Sequence, residues 1–224
     1  MKLIISSGGT GGHFYPGLSI AREVVSQGGS VVFLVSGQQA SDQRAIAESY
    51  GLQVRTIPSV RMPRNPWQLL LFPFRFIACC RAIRKIYREL DADALLSMGS
   101  FTSVPCETTS RAIGRKPLIL HEGNTFMGQA NRVFAKDAAA IALTLPLCNP
   151  SQLKGRPSRI AGMPLREELL EAAMVASLDG EVLLHDSRGN SPLPARVLQR
   201  RIVIAACQDN QLKAWRECLH QGEC

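Results

Sequence analysis

Short apolar runs rich in Val, Ile and Leu recur along the first 160 residues and alternate with amphipathic stretches. The runs fall at 3–5, 31–35, 54–57, 94–96, 118–120, 141–145 and 159–161. Helical patterns lie between them at about 16–27, 41–50, 66–90, 102–113 and 125–136. Apolar runs of strand length, spaced by helices, predict βαβ units and an α/β fold with a doubly wound parallel sheet. Right-handed crossovers then gather the loops that follow the strands at one edge of the sheet, where folds of this class bind ligands. The loop after the first strand, residues 97–103 after the fourth and residues 121–124 after the fifth are predicted to line one cleft.

The first of these loops reads Ser6-Ser7-Gly8-Gly9-Thr10-Gly11-Gly12-His13, with a helix predicted to start near Tyr15-Pro16. Glycines let the backbone approach a ligand closely, and a helix N-terminus adds unpaired N–H groups and the positive end of its dipole. Together they make an anion site suited to phosphate or diphosphate. His13 lies at its mouth, where an imidazole exchanges protons near neutral pH. The residues alone leave a second reading open, a tight βα turn whose glycines only permit close packing. The loop lacks the G-x-G-x-x-G register, and Ser36-Gly37-Gln38 puts no acidic residue at the end of the second strand, which weighs against a dinucleotide-binding dehydrogenase.

No run of 18 apolar residues occurs, and residues 1–6 are too short an apolar run for a signal peptide, so a cytoplasmic protein is expected. The seven cysteines form no C-x-x-C pair and no zinc-like cluster, which fits thiols in a reducing compartment. The net charge of +8 is uneven: residues 1–165 hold 19 Lys/Arg against 9 Asp/Glu, and residues 166–224 hold 7 against 9. A basic front half points to an anionic partner. Nucleic acid is not expected, because no helix-turn-helix, zinc-finger or RRM feature is present.

Residues 59–90 depart from the simple alternation. A proline-punctuated loop leads into Trp67, Leu69, Leu70, Leu71, Phe72, Phe74 and Phe76, beside Arg61, Arg64, Arg75, Arg81, Arg84, Lys85 and Arg88. Pro73 is expected to end or kink any helix there. Two readings remain open on the residues: an interfacial contact with anionic lipids through Trp67, Leu70, Leu71, Phe72, Phe74 and Arg75, or core beneath a long loop with solvated arginines. After Gly162 the composition changes. Met163-Pro164-Leu165-Arg166 reads as a linker, dividing the chain into a domain at 1–162 and a shorter stretch at 163–224. About 60 residues do not build a well-stabilised α/β domain alone.

Three blocks and the linker carry a family resemblance. Gly8–His13 continues as Phe14-Tyr15-Pro16-Gly17-Leu18-Ser19-Ile20-Ala21. The second block is Ser97-Met98-Gly99-Ser100-Phe101-Thr102-Ser103-Val104-Pro105. The third runs Leu120-His121-Glu122-Gly123-Asn124-Thr125-Phe126-Met127-Gly128-Gln129-Ala130-Asn131-Arg132, and Gly162-Met163-Pro164-Leu165-Arg166 follows. In this order and spacing the series resembles the MurG family over about residues 1–176. These transferases move N-acetylglucosamine from its UDP conjugate to undecaprenyl-diphosphate-linked muramyl-pentapeptide in peptidoglycan synthesis.

The resemblance implies a two-domain GT-B glycosyltransferase, metal-independent and without a cofactor, inverting at the anomeric carbon. It implies a peripheral protein on the cytoplasmic face of the bacterial membrane. Its partners would be the UDP-sugar, the lipid-linked acceptor and an anionic membrane surface, with a separate donor-binding chain or a cell-wall synthesis complex as a further partner. Thr10, Gly11 and Gly12 match a loop that contacts substrate phosphate or sugar. His13 is the candidate base, or a histidine that only bonds phosphate. Glu122 is an alternative base or orients His13. Asn124 and Arg166 match positions that contact the donor, and Asn131 matches a motif position that fixes the helix. Gly123 stands where the family has glutamine, and Ser100-Phe101 where it has a glycine-tyrosine pair. Residues 182–190 hold one glycine where the family's glycine-rich donor loop lies, so an incomplete donor-binding domain is expected. The alternative function is a non-catalytic module that binds the lipid acceptor, docks on the membrane and meets its donor half on another chain.

Overall fold

The computed structural model describes residues 1–164 apart from 59, 61, 62, 64, 114 and 115. Seven strands form one parallel sheet: β1 Lys2–Ser6, β2 Ser30–Val35, β3 Gln53–Thr56, β4 Ala94–Ser97, β5 Leu118–Glu122, β6 Ala140–Leu143 and β7 Ser158–Ile160. Their order is β3-β2-β1-β4-β5-β6-β7, so the winding reverses between β1 and β4. That reversal opens a crevice at the carboxyl ends of those two strands. All seven predicted strands are present.

The inner strands β2, β1, β4, β5 and β6 are largely apolar because both faces of the sheet are covered there, whereas the edge strands β3 and β7 carry polar, exposed residues. Leu3 and Ile5 of β1 point into one core with Val31, Phe33 and Val35 of β2, and Ile4, Val32 and Leu34 point into the other. Helices α1 Gly11–Ser26 and α2 Ala40–Ser49 cover the first face. Helices α3 Pro66–Leu90, α4 Val104–Ile113 and α5 Gln129–Phe134 supply the second through residues such as Ile83, Cys106 and Phe134.

Three helix expectations need correction. Helix α1 begins at Gly11, inside the glycine loop, with Thr10 as its extended N-cap. Pro16 therefore lies within the helix and, having no N–H, leaves the Gly12 carbonyl without its usual i+4 donor. Helix α3 runs through Pro73 without ending. Its start is fixed earlier, where Pro66 takes the first helical position and the Asn65 side chain accepts the Gln68 N–H at 2.8 Å. Helix α5 is shorter than the expected 125–136, and a 3-10 turn at Ala135–Asp137 follows it. The linker from residue 165 on, Arg166, and the stretch expected to open a second domain lie outside the described residues.

Candidate active site at the carboxyl edge of the sheet

The glycines of the first loop divide into two kinds. Gly8 is required by packing: a Cβ there would lie 2.9 Å from Thr102 Oγ1 and 3.0 Å from the Ser36 carbonyl. Gly9 has φ +86°, a conformation that side chains rarely adopt. Gly11 and Gly12 are different. A Cβ at Gly11 would come no closer than 3.4 Å, to Tyr15, and one at Gly12 no closer than 3.9 Å, to Thr10. A Cβ at either position would meet only ordinary van der Waals contacts. As the first two residues of α1 their N–H groups have no intrahelical acceptor, and they bond to none of the described residues. The Thr10 carbonyl is already engaged, accepting from the N–H groups of His13 and Phe14 at 3.2 Å each. Gly8 and Gly9 thus make the turn, and Gly11 and Gly12 stand at a helix N-terminus with N–H groups that bond to none of the described residues.

His13 is half-buried beside these donors, and its Nδ1 lies 2.7 Å from the Met98 carbonyl oxygen. A carbonyl only accepts, so Nδ1 carries the proton and Nε2 of the neutral ring carries the lone pair. Nε2 makes no hydrogen bond among the described residues. The Ser7 hydroxyl donates to the His13 carbonyl at 2.8 Å and ties the helix start to the loop. His121, on β5, is fully within the protein, and its Nε2 lies 3.0 Å from Thr144 Oγ1. Burial, reinforced by the neighbouring His13, pushes His121 down to about 3, so it is neutral at physiological pH.

Glu122 does not orient His13, contrary to the expectation. Its Oε1 accepts from the backbone N–H and the side-chain amide of Asn124, at 3.0 and 3.1 Å. Its Oε2 accepts from the Gly128 N–H at 2.8 Å and the Asn131 amide at 2.9 Å. Each oxygen thus takes two hydrogen bonds, and neither is placed to receive a substrate proton. The buried carboxylate organises the 123–131 turn. Asn131 completes that role by donating also to the His121 carbonyl at 2.9 Å. Asn124 is exposed, with its amide nitrogen committed to Glu122. The residue that does hold His13 is Met98, through a backbone atom. No side-chain pattern in the sequence marks such a contact.

Helix α3 answers the question left by residues 59–90. Phe72, Phe76, Cys79, Ile83, Tyr87 and Leu90 follow helical spacing and pack on the core. The opposite face is apolar in its first half, where Trp67 is 74%, Leu70 61% and Phe74 70% exposed. In its second half the exposed residues are basic: Arg81, Arg84, Lys85 and Arg88 line an open groove with Glu89. Phe72, expected in a membrane contact, instead stacks near Phe76 with ring centroids 5.9 Å apart, because it lies on the inward face. No helix among the described residues is long and apolar enough to cross a membrane. Cys79 and Cys106 are buried free thiols, and burial pushes Cys79 up to about 12.

Known proteins share this architecture. The transferase from Buchnera aphidicola named UDP-N-acetylglucosamine--N-acetylmuramyl-(pentapeptide) pyrophosphoryl-undecaprenol N-acetylglucosamine transferase is 35% identical over 164 residues, covering 70% of this chain and 45% of that protein. The protein of the same name from Streptomyces avermitilis is 28% identical over 189 residues, covering 84% of this chain and 49% of its own length. The chain thus spans about half the length of the curated relatives it matches. The crystal structure of Acinetobacter baumannii MurG superposes with a TM-score of 0.59 at 19% identity, covering 77% of this chain and 48% of that one, which shows the shared fold. The model of the glycosyltransferase family 28 N-terminal domain matches residues 3–143, from β1 to the end of β6. On that match, which takes in the glycine loop, His13 and the 97–131 blocks, the chain belongs to glycosyltransferase family 28 through its N-terminal domain.

Proposed function

We propose that this chain acts in the transfer of N-acetylglucosamine from UDP-N-acetylglucosamine to undecaprenyl-diphosphate-linked muramyl-pentapeptide, at the cytoplasmic face of the bacterial membrane. The observation that carries this reading is the pairing of free donors with a free base. The Gly12 and Gly11 N–H groups and the positive end of the α1 dipole lie one and two residues before His13, whose Nε2 bonds to none of the described residues. A diphosphate fits the former. The latter suits a sugar hydroxyl that must lose its proton as it attacks.

The chemistry is a single displacement. His13 Nε2 takes the proton of the acceptor hydroxyl, the oxygen bonds to the anomeric carbon of N-acetylglucosamine, and the bond from that carbon to the UDP oxygen breaks with inversion. Nδ1–H stays bonded to the Met98 carbonyl, which holds the ring and disperses its positive charge. Thr10, Gly11 and Gly12 hold acceptor phosphate. Asn124 Oδ1 and Arg166 are assigned to the donor. The exposed face of α3 rests on the membrane, with Trp67, Leu70, Leu71 and Phe74 in the interface and Arg75, Arg81, Arg84, Lys85 and Arg88 against anionic headgroups.

The family match covers the N-terminal domain, which also favours an acceptor-binding module that works with a donor-binding chain or within a cell-wall synthesis complex. One experiment separates the two. Anionic vesicles carrying the lipid-linked muramyl-pentapeptide are mixed with the full chain and labelled UDP-N-acetylglucosamine. Label entering the lipid establishes transfer. Saturable binding to acceptor-bearing vesicles without label selects the module. Equal binding to vesicles with and without acceptor overturns both.

A further inference from the structure

Behind the active-site edge, the first turn of α4 buries a carboxylate that has no ion-pair partner among the described residues. Glu107 is 0% exposed, and its Oε2 makes no hydrogen bond. An acid buried in this way is costly, and such groups persist where they do something specific. Its Oε1 accepts the hydroxyl proton of Ser97, itself 0% exposed at the end of β4. Ser97 Oγ in turn accepts the Gly99 N–H at 3.3 Å.

The Gly99 N–H and the Met98 C=O are the two ends of one planar peptide unit. Fixing its N–H end aims its C=O end. The contacts therefore form one chain: His13 Nδ1–H donates to the Met98 carbonyl, the Gly99 N–H of the same peptide donates to Ser97 Oγ, and the Ser97 hydroxyl donates to Glu107 Oε1. Every donor points the same way, toward the carboxylate, so each bond polarises the next. The turn has little freedom to find another arrangement. Met98 N–H is held by the Ser6 carbonyl at 3.0 Å, and Gly99 sits at φ +85° with Asn131 and the His121 carbonyl against it.

We propose that Glu107 is a positioning residue for His13, acting through Ser97 and the Met98–Gly99 peptide to keep the proton on Nδ1 and the lone pair on Nε2. It does in three hydrogen bonds, one of them through the main chain, what a carboxylate in direct contact does for a catalytic histidine. The proposal rests on His13 being the base of the reaction proposed above. The groups around Glu107 are few: Ser97 of β4, Cys106 on its own helix, and Tyr87 of α3, the latter two sensing its charge. Toward the site it meets Ser97, whose hydroxyl donates to it.

The test reads the imidazole directly in the unliganded full chain, so it does not depend on substrate binding or turnover. Two-bond nitrogen–proton correlation spectra of the labelled protein report which ring nitrogen of His13 bears hydrogen, with assignment by His13→Asn. The parent is expected to show His13 as the Nδ1–H form. Ser97→Ala and Glu107→Leu are expected to give a mixture with Nε2–H in the majority, while Glu107→Gln, which keeps an acceptor oxygen for Ser97, restores the Nδ1–H form. His121 serves as the control, because a general loosening of the sheet edge would disturb its contact with Thr144 as well. The proposal is overturned if folded Ser97→Ala keeps His13 wholly as Nδ1–H, or if both histidines change together. Should Glu107→Leu fail to fold, Ser97→Ala and Glu107→Gln decide the matter. Loss of acceptor binding with an unchanged tautomer pattern would instead refute the function and leave this chain of bonds standing.

Discussion

The Nδ1 of His13, on α1, lies 2.7 Å from the carbonyl oxygen of Met98, in the loop after β4. The bond crosses the point where the sheet reverses its winding, joining the two loops that open there. It fixes the proton on Nδ1 and leaves Nε2 as the nitrogen able to accept one.

His13→Asn and His13→Gln separate holding from catalysis. The Asn amide nitrogen occupies nearly the place of Nδ1 and is able to keep the bond to Met98, whereas the Gln amide reaches the place of Nε2 and loses it. Neither side chain is a base. In whichever assembly supports transfer, both variants are expected to slow it by about 10²–10⁴-fold. Thermal unfolding should show Asn within about 0.5 kcal/mol of the parent and Gln about 1 kcal/mol less stable. Transfer by His13→Asn at the parent rate would remove His13 as the base.

Gly12→Ala tests whether the space beside the donors is there for a ligand. The new methyl group meets nothing closer than 3.9 Å. Replacing a helical glycine by alanine stabilises by about 0.5–1 kcal/mol. The variant is therefore expected to unfold at a higher temperature yet bind acceptor vesicles roughly tenfold more weakly, a cost of about 1.4 kcal/mol. Higher stability with unchanged binding would mean that the acceptor diphosphate does not approach Gly12.

The inner strands were legible because burial on both faces writes a largely apolar run into them, while the edge strands β3 and β7 carry only a fragment of one. The start of α1 was not. Gly11 and Gly12 are poor helix formers and carry no helical signal of their own, yet the helix starts at Gly11, with Phe14 and Leu18 packed in the core. Phe72 is marked by its spacing: with Phe76, Cys79 and Ile83 it makes an i, i+4, i+7, i+11 series on the inward face. Glu122 and Glu107 show the limit of such reasoning. One looks like a base and is tied up by four donors, and the other looks like a helix-start acid and is buried. Contacts between residues distant in sequence decide both cases, and spacing along the chain does not encode them.

Glu122→Gln follows from the four donors around that carboxylate. Glutamine brings an NH2 group against two of them, so two hydrogen bonds are exchanged for a donor–donor contact. A loss of about 1–3 kcal/mol is expected. Hydrogen exchange should quicken at the Asn124 amide or the Gly128 amide, whichever meets the new NH2 group, with the His13–Met98 contact intact. A His13 ring signal that changes in this variant would restore a direct link between Glu122 and His13.

On α3, Phe74 and Phe72 are two residues apart and face opposite ways. Phe74 is 70% exposed, while Phe72 packs on the core. Phe74→Ser should leave the unfolding midpoint within about 0.5 kcal/mol of the parent and weaken binding to anionic vesicles by roughly tenfold or more. Phe72→Ser should lower stability by about 2–4 kcal/mol. Sedimentation with vesicles at rising salt adds a check on the basic half of the helix: binding should fall with salt, and less steeply in Arg84→Gln. Equal vesicle binding by Phe74→Ser and the parent would take the membrane off this face.

The two perturbed groups behind the site shape stability against pH in opposite senses. Burial pushes Glu107 from 4.5 up to about 7, so between those values the folded protein holds a proton that the unfolded chain releases, and stability falls as pH rises. Burial pushes His121 from 6.5 down to about 3, so between those values the unfolded chain holds the extra proton, and stability rises with pH. From pH 4.5 to 6.5 the two slopes, each up to about 1.4 kcal/mol per unit, cancel. Below pH 4.5 His121 acts alone and the protein weakens toward pH 3. Glu107→Gln removes one side of this balance. Relative to the parent, its stability measured by urea unfolding should climb from pH 4.5 to 7 by roughly 3 kcal/mol in all. His121→Asn should show the reverse between pH 3 and 6.5, losing stability relative to the parent as pH rises. A difference curve that stays flat for Glu107→Gln would mean that this carboxyl titrates at its ordinary value in the folded protein, and that its burial is relieved by a partner such as a trapped water on Oε2.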